Sequence, residues 1–142
     1  MKITQISVFL ENQPGRLTQA AKTLADEKID IRTLSLADTS DFGILRLLVD
    51  DPERALAALE KANFTVKPTE VVAVEVPDSP GGLAQVLGII ADTGVSVEYM
   101  YAYTRAKNEN AVMIFCFDDN ARIIEILQKN NLRLFTNADL KR

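Results

Sequence analysis

Gln13-Pro14-Gly15-Arg16-Leu17 recurs as Ser79-Pro80-Gly81-Gly82-Leu83, 66 residues further along the chain. The offset persists: Leu17, Ala21, Leu24, Ala25, Asp26, Ile29 and Ile31 fall on Leu83, Leu87, Ile90, Ala91, Asp92, Val95 and Val97. Past the next turn it becomes 68, placing Val49, Asp50, Asp51, Leu56, Leu59 and Phe64 on Phe117, Asp118, Asp119, Ile124, Leu127 and Leu132. A two-residue insertion in the second copy accounts for the change. It falls between Asp38-Thr39-Ser40-Asp41 and Arg105-Ala106-Lys107-Asn108-Glu109-Asn110, and because insertions collect in turns it marks a hairpin there.

Each copy reads as strand, helix, hairpin, helix, strand. The fold expected is α+β: two tandem ferredoxin-like βαββαβ units with antiparallel sheets, over residues 1–68 and 69–142. Strands are expected near 3–10, 29–38, 42–49 and 64–67, then 70–76, 95–105, 110–118 and 132–136. Helices are expected near 14–27, 52–62, 80–93 and 120–130. Leu17, Ala20, Ala21, Leu24 and Ala25 make an apolar stripe at helical spacing, as do Leu83, Val86, Leu87 and Ile90. Ser79 suits an N-cap with Pro80 in the first helical position. Gly94 suits a left-handed end to that helix; its counterpart Lys28 then either accepts positive φ at some cost, if its helix ends the same way, or ends the helix differently. Asp51-Pro52-Glu53 opens the second helix and Asp118-Asp119 its copy. Pro68 and its neighbours are read as a short linker.

Both third strands, Ile44 to Val49 and Ala111 to Phe117, lack the alternation of a half-solvated sheet, so both sheet faces should be covered, by the other repeat or by another chain. A homo-oligomer, most simply a homodimer, is the expectation. The chain has 142 residues, 47% hydrophobic and 25% charged, with a net charge of −4. That charge offers no field for a phosphate backbone, which argues against nucleic acid as a partner. No apolar run approaches the roughly 20 residues of a membrane span, and the opening residues carry no signal-peptide pattern, so no membrane partner and a cytoplasmic location are expected. The single cysteine, Cys116, lies in an apolar run and reads as a small core side chain.

The loops Glu11 to Leu17 and Pro77 to Leu83 each join a strand to a helix N-terminus, where unpaired N–H groups and a partial positive charge can receive a carboxylate. The amides of Gly15, Arg16 and Leu17, or of Gly81, Gly82 and Leu83, would take it, and glycine there keeps a Cβ out of the way. Asn12 and Asp78 stand three residues before each glycine and would meet an ammonium group. The bland reading is that a polar residue followed by Pro-Gly simply turns the chain into a helix. Val8-Phe9-Leu10-Glu11-Asn12-Gln13-Pro14-Gly15-Arg16-Leu17, within a doubled βαββαβ unit, resembles the opening of the ACT domain. That resemblance covers nearly the whole chain, twice. It implies a regulatory protein whose domains pair side by side and bind amino acids or similar effectors between the strand-helix loop of one domain and the second strand of its neighbour. The candidate binding residues are then Asn12, Gln13, Pro14, Gly15, Arg16 and Leu17 in the first loop and Asp78, Ser79, Pro80, Gly81, Gly82 and Leu83 in the second. The second strands contribute Thr33, Leu34, Ser35 and Leu36, and Tyr99, Met100 and Tyr101. Tyr99, Tyr101 and Tyr103 share one sheet face, and their first-repeat counterparts are the small residues Thr33, Ser35 and Ala37; if the second strands face each other, each row faces a different pocket and the two sites should be unequal, unless the tyrosines merely pack a half-buried strand.

An enzyme is not expected. The chain has no histidine and no cluster of acids and cysteines at metal-ligand spacing, and no cofactor is implied. RNA-binding relatives of this topology carry a basic sheet with a stacking-aromatic signature that is missing here. Copper carriers need paired cysteines in the first loop. The surviving alternative to a small-molecule sensor is a regulatory or assembly subunit that acts by contact with a metabolic enzyme.

Overall fold

The computed structural model describes residues 2–38, 42–103 and 110–141, so the two predicted hairpin turns, the insertion between them and the end of the strand expected to reach 105 lie outside the described residues. The elements run β1 (Ile3–Glu11), α1 (Arg16–Asp26), β2 (Ile31–Asp38), β3 (Phe42–Val49), α2 (Pro52–Lys61), β4 (Thr65–Val76), α3 (Gly82–Ala91), β5 (Val97–Tyr103), β6 (Ala111–Phe117) and α4 (Asn120–Lys129), closing with a 3-10 turn at Asn137–Lys141. The strands pair antiparallel and the fold is α+β. Two compact units share the chain: Thr4–Thr69 with Ala138–Arg142, and Met1–Ile3 with Glu70–Asn137. Each end of the polypeptide is thus exchanged into the unit made mainly by the other repeat.

In the first unit the strand order is β2-β3-β1-β4. Ile6, Val8 and Leu10 of β1 and Leu45, Leu47 and Val49 of β3 pack with Ala20 and Leu24 of α1 and Ala55 and Leu59 of α2. The opposite face is buried as well, at Gln5, Ser7 and Leu48. Polar groups there are paired rather than excluded: Gln5 Nε2 donates to Ser7 Oγ at 3.0 Å, and Ser7 Oγ lies 3.1 Å from Thr69 Oγ1. In the second unit the order is β4-β6-β5, with Val72, Val74, Val76, Phe115 and Phe117 against Val86, Ile90, Ile123 and Leu127. Val71, Ala73, Val112 and Ile114 are buried on its other face. Cys116 is buried, with its thiol 3.6 Å from Glu98 Oε1.

Turn chemistry explains the helix ends. Asp51 and Asp119 cap α2 and α4, their Oδ1 atoms accepting from Arg54 N at 3.3 Å and Arg122 N at 3.1 Å. The starts of α1 and α3 differ from expectation. Ser79 is not the cap and Pro80 is not helical; the caps are Gly15 and Gly81, at φ +87° and +86° with no side-chain cap bond. The carbonyl of Gln13 accepts from Arg16 N at 3.4 Å, and that of Ser79 from Gly82 N at 3.0 Å. This is the pattern of a type II turn, with proline second and a left-handed glycine third, so the Pro-Gly pair sits just outside each helix. At the far ends Lys28 has φ +57° and Gly94 φ +76°, as the repeat alignment predicts, while Asn63 (φ +68°) and Asn131 (φ +61°) end α2 and α4 the same way.

Two expectations fail near the joints. Residues 64–67 and 70–76 are not separate strands: β4 runs unbroken from Thr65 to Val76. Pro68 lies outside the Val72–Val76 ladder with β6, so its missing N–H costs no bond on that side. The strand expected over 132–136 shrinks to a bridge between Val74 and Leu134, flanked by Glu75 N to Arg133 O and Phe135 N to Ala73 O, both 2.9 Å. The chain then winds into the 3-10 turn, which buries Leu140.

Candidate functional site

In the first repeat the strand-helix loop stands away from the sheet and leaves a cleft of about 330 Å³ lined by Leu10, Glu11, Asn12, Gln13, Arg16, Leu17, Leu36, Ala37 and Gly43. The register explains why these residues meet. Gly43 lies opposite Leu10 on one side and Asp38 on the other, so the side-chain-free position of β3 sits beneath the loop. A Cβ on Gly43 would stand 3.3 Å from Leu36 Cδ1, so glycine is what keeps that part of the cleft open.

Of the residues expected from sequence, Asn12, Gln13, Arg16, Leu17 and Leu36 are brought together. Pro14 and Gly15 form the turn beside them. Thr33 and Ser35 alternate to the face away from the helices, opposite Leu48 and Arg46, whereas Leu34 shares the helix side but stands 49% exposed at the strand edge. Leu10, Glu11, Ala37 and Gly43 were missed. An isolated glycine inside a strand pattern was the available signal for Gly43, since it marks a close approach to the backbone.

Arg16 forms one wall of the cleft. Its guanidinium carbon lies 4.5 Å over the Phe64 ring and Nη1 donates to Gln19 Oε1 at 2.7 Å. Its Nε is buried and has no partner among the described residues, which leaves a polar hydrogen unsatisfied. The backbone amide of Arg16 is taken by the turn to Gln13, so the amides able to receive a ligand are those of Leu17 and Thr18, which by helix geometry have no intrahelical acceptor.

The second repeat is built differently at the same place. A Cβ on Gly82 would collide with the carbonyl oxygen of Pro77, and Gly82 is buried beneath it. The Gly82 amide, expected to bind a carboxylate, donates instead to Ser79 O. Asp78, Ser79, Pro80, Gly81 and Leu83 are exposed. Tyr99 and Tyr101 face the side of β6 that carries Cys116 and Ile114, away from α3 and α4, and only Met100 faces the helix side, against Phe115.

Among the described residues no three acids, cysteines or histidines are grouped to hold a metal ion, and no helix is long and apolar enough to cross a membrane. No curated protein matches the chain. Among solved structures, a protein from Bacteroides thetaiotaomicron is similar at 40% identity with a TM-score of 0.93, covering 100% of this chain and 97% of that one. The regulatory subunit of aspartate kinase from Thermus thermophilus, in its ligand-free form, shares the fold at 18% identity and a TM-score of 0.59, covering 89% and 91%. Its counterpart from Thermus flavus does so at 20% and 0.60, covering 89% and 88%. The family model described as an ACT domain pair matches residues 1–142. The doubled βαββαβ unit, with a type II Pro-Gly turn opening the first helix of each copy, belongs to the ACT domain family as a tandem pair.

Proposed function

We propose that this chain is a non-catalytic regulatory protein of the cytoplasm that binds a small molecule, an amino acid, in the cleft of its first repeat. The cleft itself carries the reading, because it pairs the helix N-terminal residue Leu17 with the polar groups of Glu11 and Asn12 across an apolar floor. A carboxylate on the Leu17 amide and an ammonium near Glu11 and Asn12 would be matched in charge, while Leu10, Leu17 and Leu36 would contact the side chain. Charge-assisted bonds contribute roughly 1.5–3 kcal/mol each, so two or three of them support affinity in the micromolar-to-millimolar range that metabolite sensing needs. The unsatisfied Arg16 Nε agrees with an acceptor arriving beside it.

The second reading is contact with another chain, a second copy or a metabolic enzyme. It is favoured by β2, which ends its unit's strand order and exposes Leu34 and Leu36 at 49% and 51%. An exposed sheet edge of this kind invites pairing with another strand. The deciding experiment is a thermal-shift panel of single amino acids. A sensor melts higher as ligand rises, by about 2.7 kcal/mol at one hundred times Kd. A flat panel together with co-purification of an enzyme would replace the sensor reading with the second.

A further inference from the structure

Arg16 and Gly82 occupy the same position of the repeat, the first residue of α1 and of α3. In the second copy the space that a Cβ would need is filled by the Pro77 carbonyl, which the loop folds down onto Gly82. In the first copy an arginine stem leaves the backbone at that point, and the loop ahead of it stands off enough to leave the cleft of about 330 Å³. The guanidinium of this arginine is stacked on Phe64 with Nη1 bonded to Gln19, and Nε is the group left without a partner among the described residues. What Arg16 supplies to the cleft is therefore first its bulk, beginning with Cβ.

We propose that the side chain at this one position decides which repeat can bind: the Cβ of Arg16 props the first loop open, and the lack of one at Gly82 lets Pro77 seal the second. Resting on the amino-acid reading above, this gives one ligand site per chain, in the first repeat. It also fits the remaining asymmetry, since Gly82 is buried under its loop whereas Arg16 is only half-buried. Backbone atoms cannot yield as a flexible side chain can, so the second loop cannot accommodate a Cβ without moving as a whole.

The test uses the full chain and the twenty protein L-amino acids, each titrated singly by calorimetry. The parent should bind its amino acid with a stoichiometry of one per chain. Arg16→Gly, shown folded by circular dichroism, should weaken binding by about tenfold or more, and Arg16→Ala, which keeps Cβ, by clearly less. Gly82→Ala should lower Tm by several degrees, the consequence of lifting Pro77, and raise the stoichiometry above one as the second loop opens. Two ligands per parent chain, equal binding by Arg16→Gly and the parent, or an undiminished Tm in Gly82→Ala would each overturn the proposal while leaving the sensor reading in place. A parent that binds none of the twenty overturns both.

Discussion

Arg32 Nε donates a 2.6 Å hydrogen bond to the carbonyl oxygen of Leu140, tying the start of β2 to a turn 108 residues later. The same guanidinium pairs with Asp30 Oδ2 at 2.9 Å and is largely covered, at 21% side-chain exposure. Leu140 is 2% exposed. Because a bond from a charged donor is lost and a buried carbonyl is left unpaired, Arg32→Ala should destabilise the protein by about 1.5–3 kcal/mol. Leu140→Ala, which empties a buried leucine site, should cost about 2–5 kcal/mol. Denaturant midpoints check both. If neither moves, the turn at Asn137–Lys141 is not bound to the first unit in solution.

Lys28 and Gly94 close equivalent helices in the same left-handed backbone region, at φ +57° and +76°. A side chain there costs roughly 1–2 kcal/mol, partly offset by the extra entropy a glycine loses on folding. Lys28→Gly should therefore stabilise by about 0.5–1 kcal/mol, and Gly94→Ala should destabilise by about 1 kcal/mol. Opposite shifts in Tm for the two substitutions are the expected result.

Asp51 and Asp119 accept equivalent cap bonds at α2 and α4. Replacing either with Ala should cost about 0.5–2 kcal/mol, with the two losses close to additive because the caps lie in different compact units. A double mutant measured by urea unfolding tests that independence.

Gly43 lies beneath the first loop, and valine suits a strand while taking space from the cleft. Gly43→Val should keep the fold, by circular dichroism, and weaken amino-acid binding by about tenfold or more. Unchanged affinity would place the ligand elsewhere.

Local signals in the sequence determined the repeat, the α+β class, and the positions of the helices and of the strands to within a few residues, except for the break drawn in β4 and the last strand expected over 132–136. Periodicity, capping acids and Pro-Gly pairs act between residues a few positions apart, so one chain segment carries each signal. The positive φ of Lys28 was readable for the same reason, since the repeat set it against Gly94. Tertiary structure decided the rest. Whether Pro68 breaks a strand depends on which neighbours need its N–H, and β4 passes through it unbroken. Gly43 enters the cleft only because pairing sets it against Leu10, and register arises between strands rather than within one. The two loops share a motif, yet the Pro77 carbonyl closes over Gly82 in one while an open cleft lies beside Arg16 in the other. A side chain's effect on the space around it is set by what the fold packs there, which no stretch of sequence states by itself.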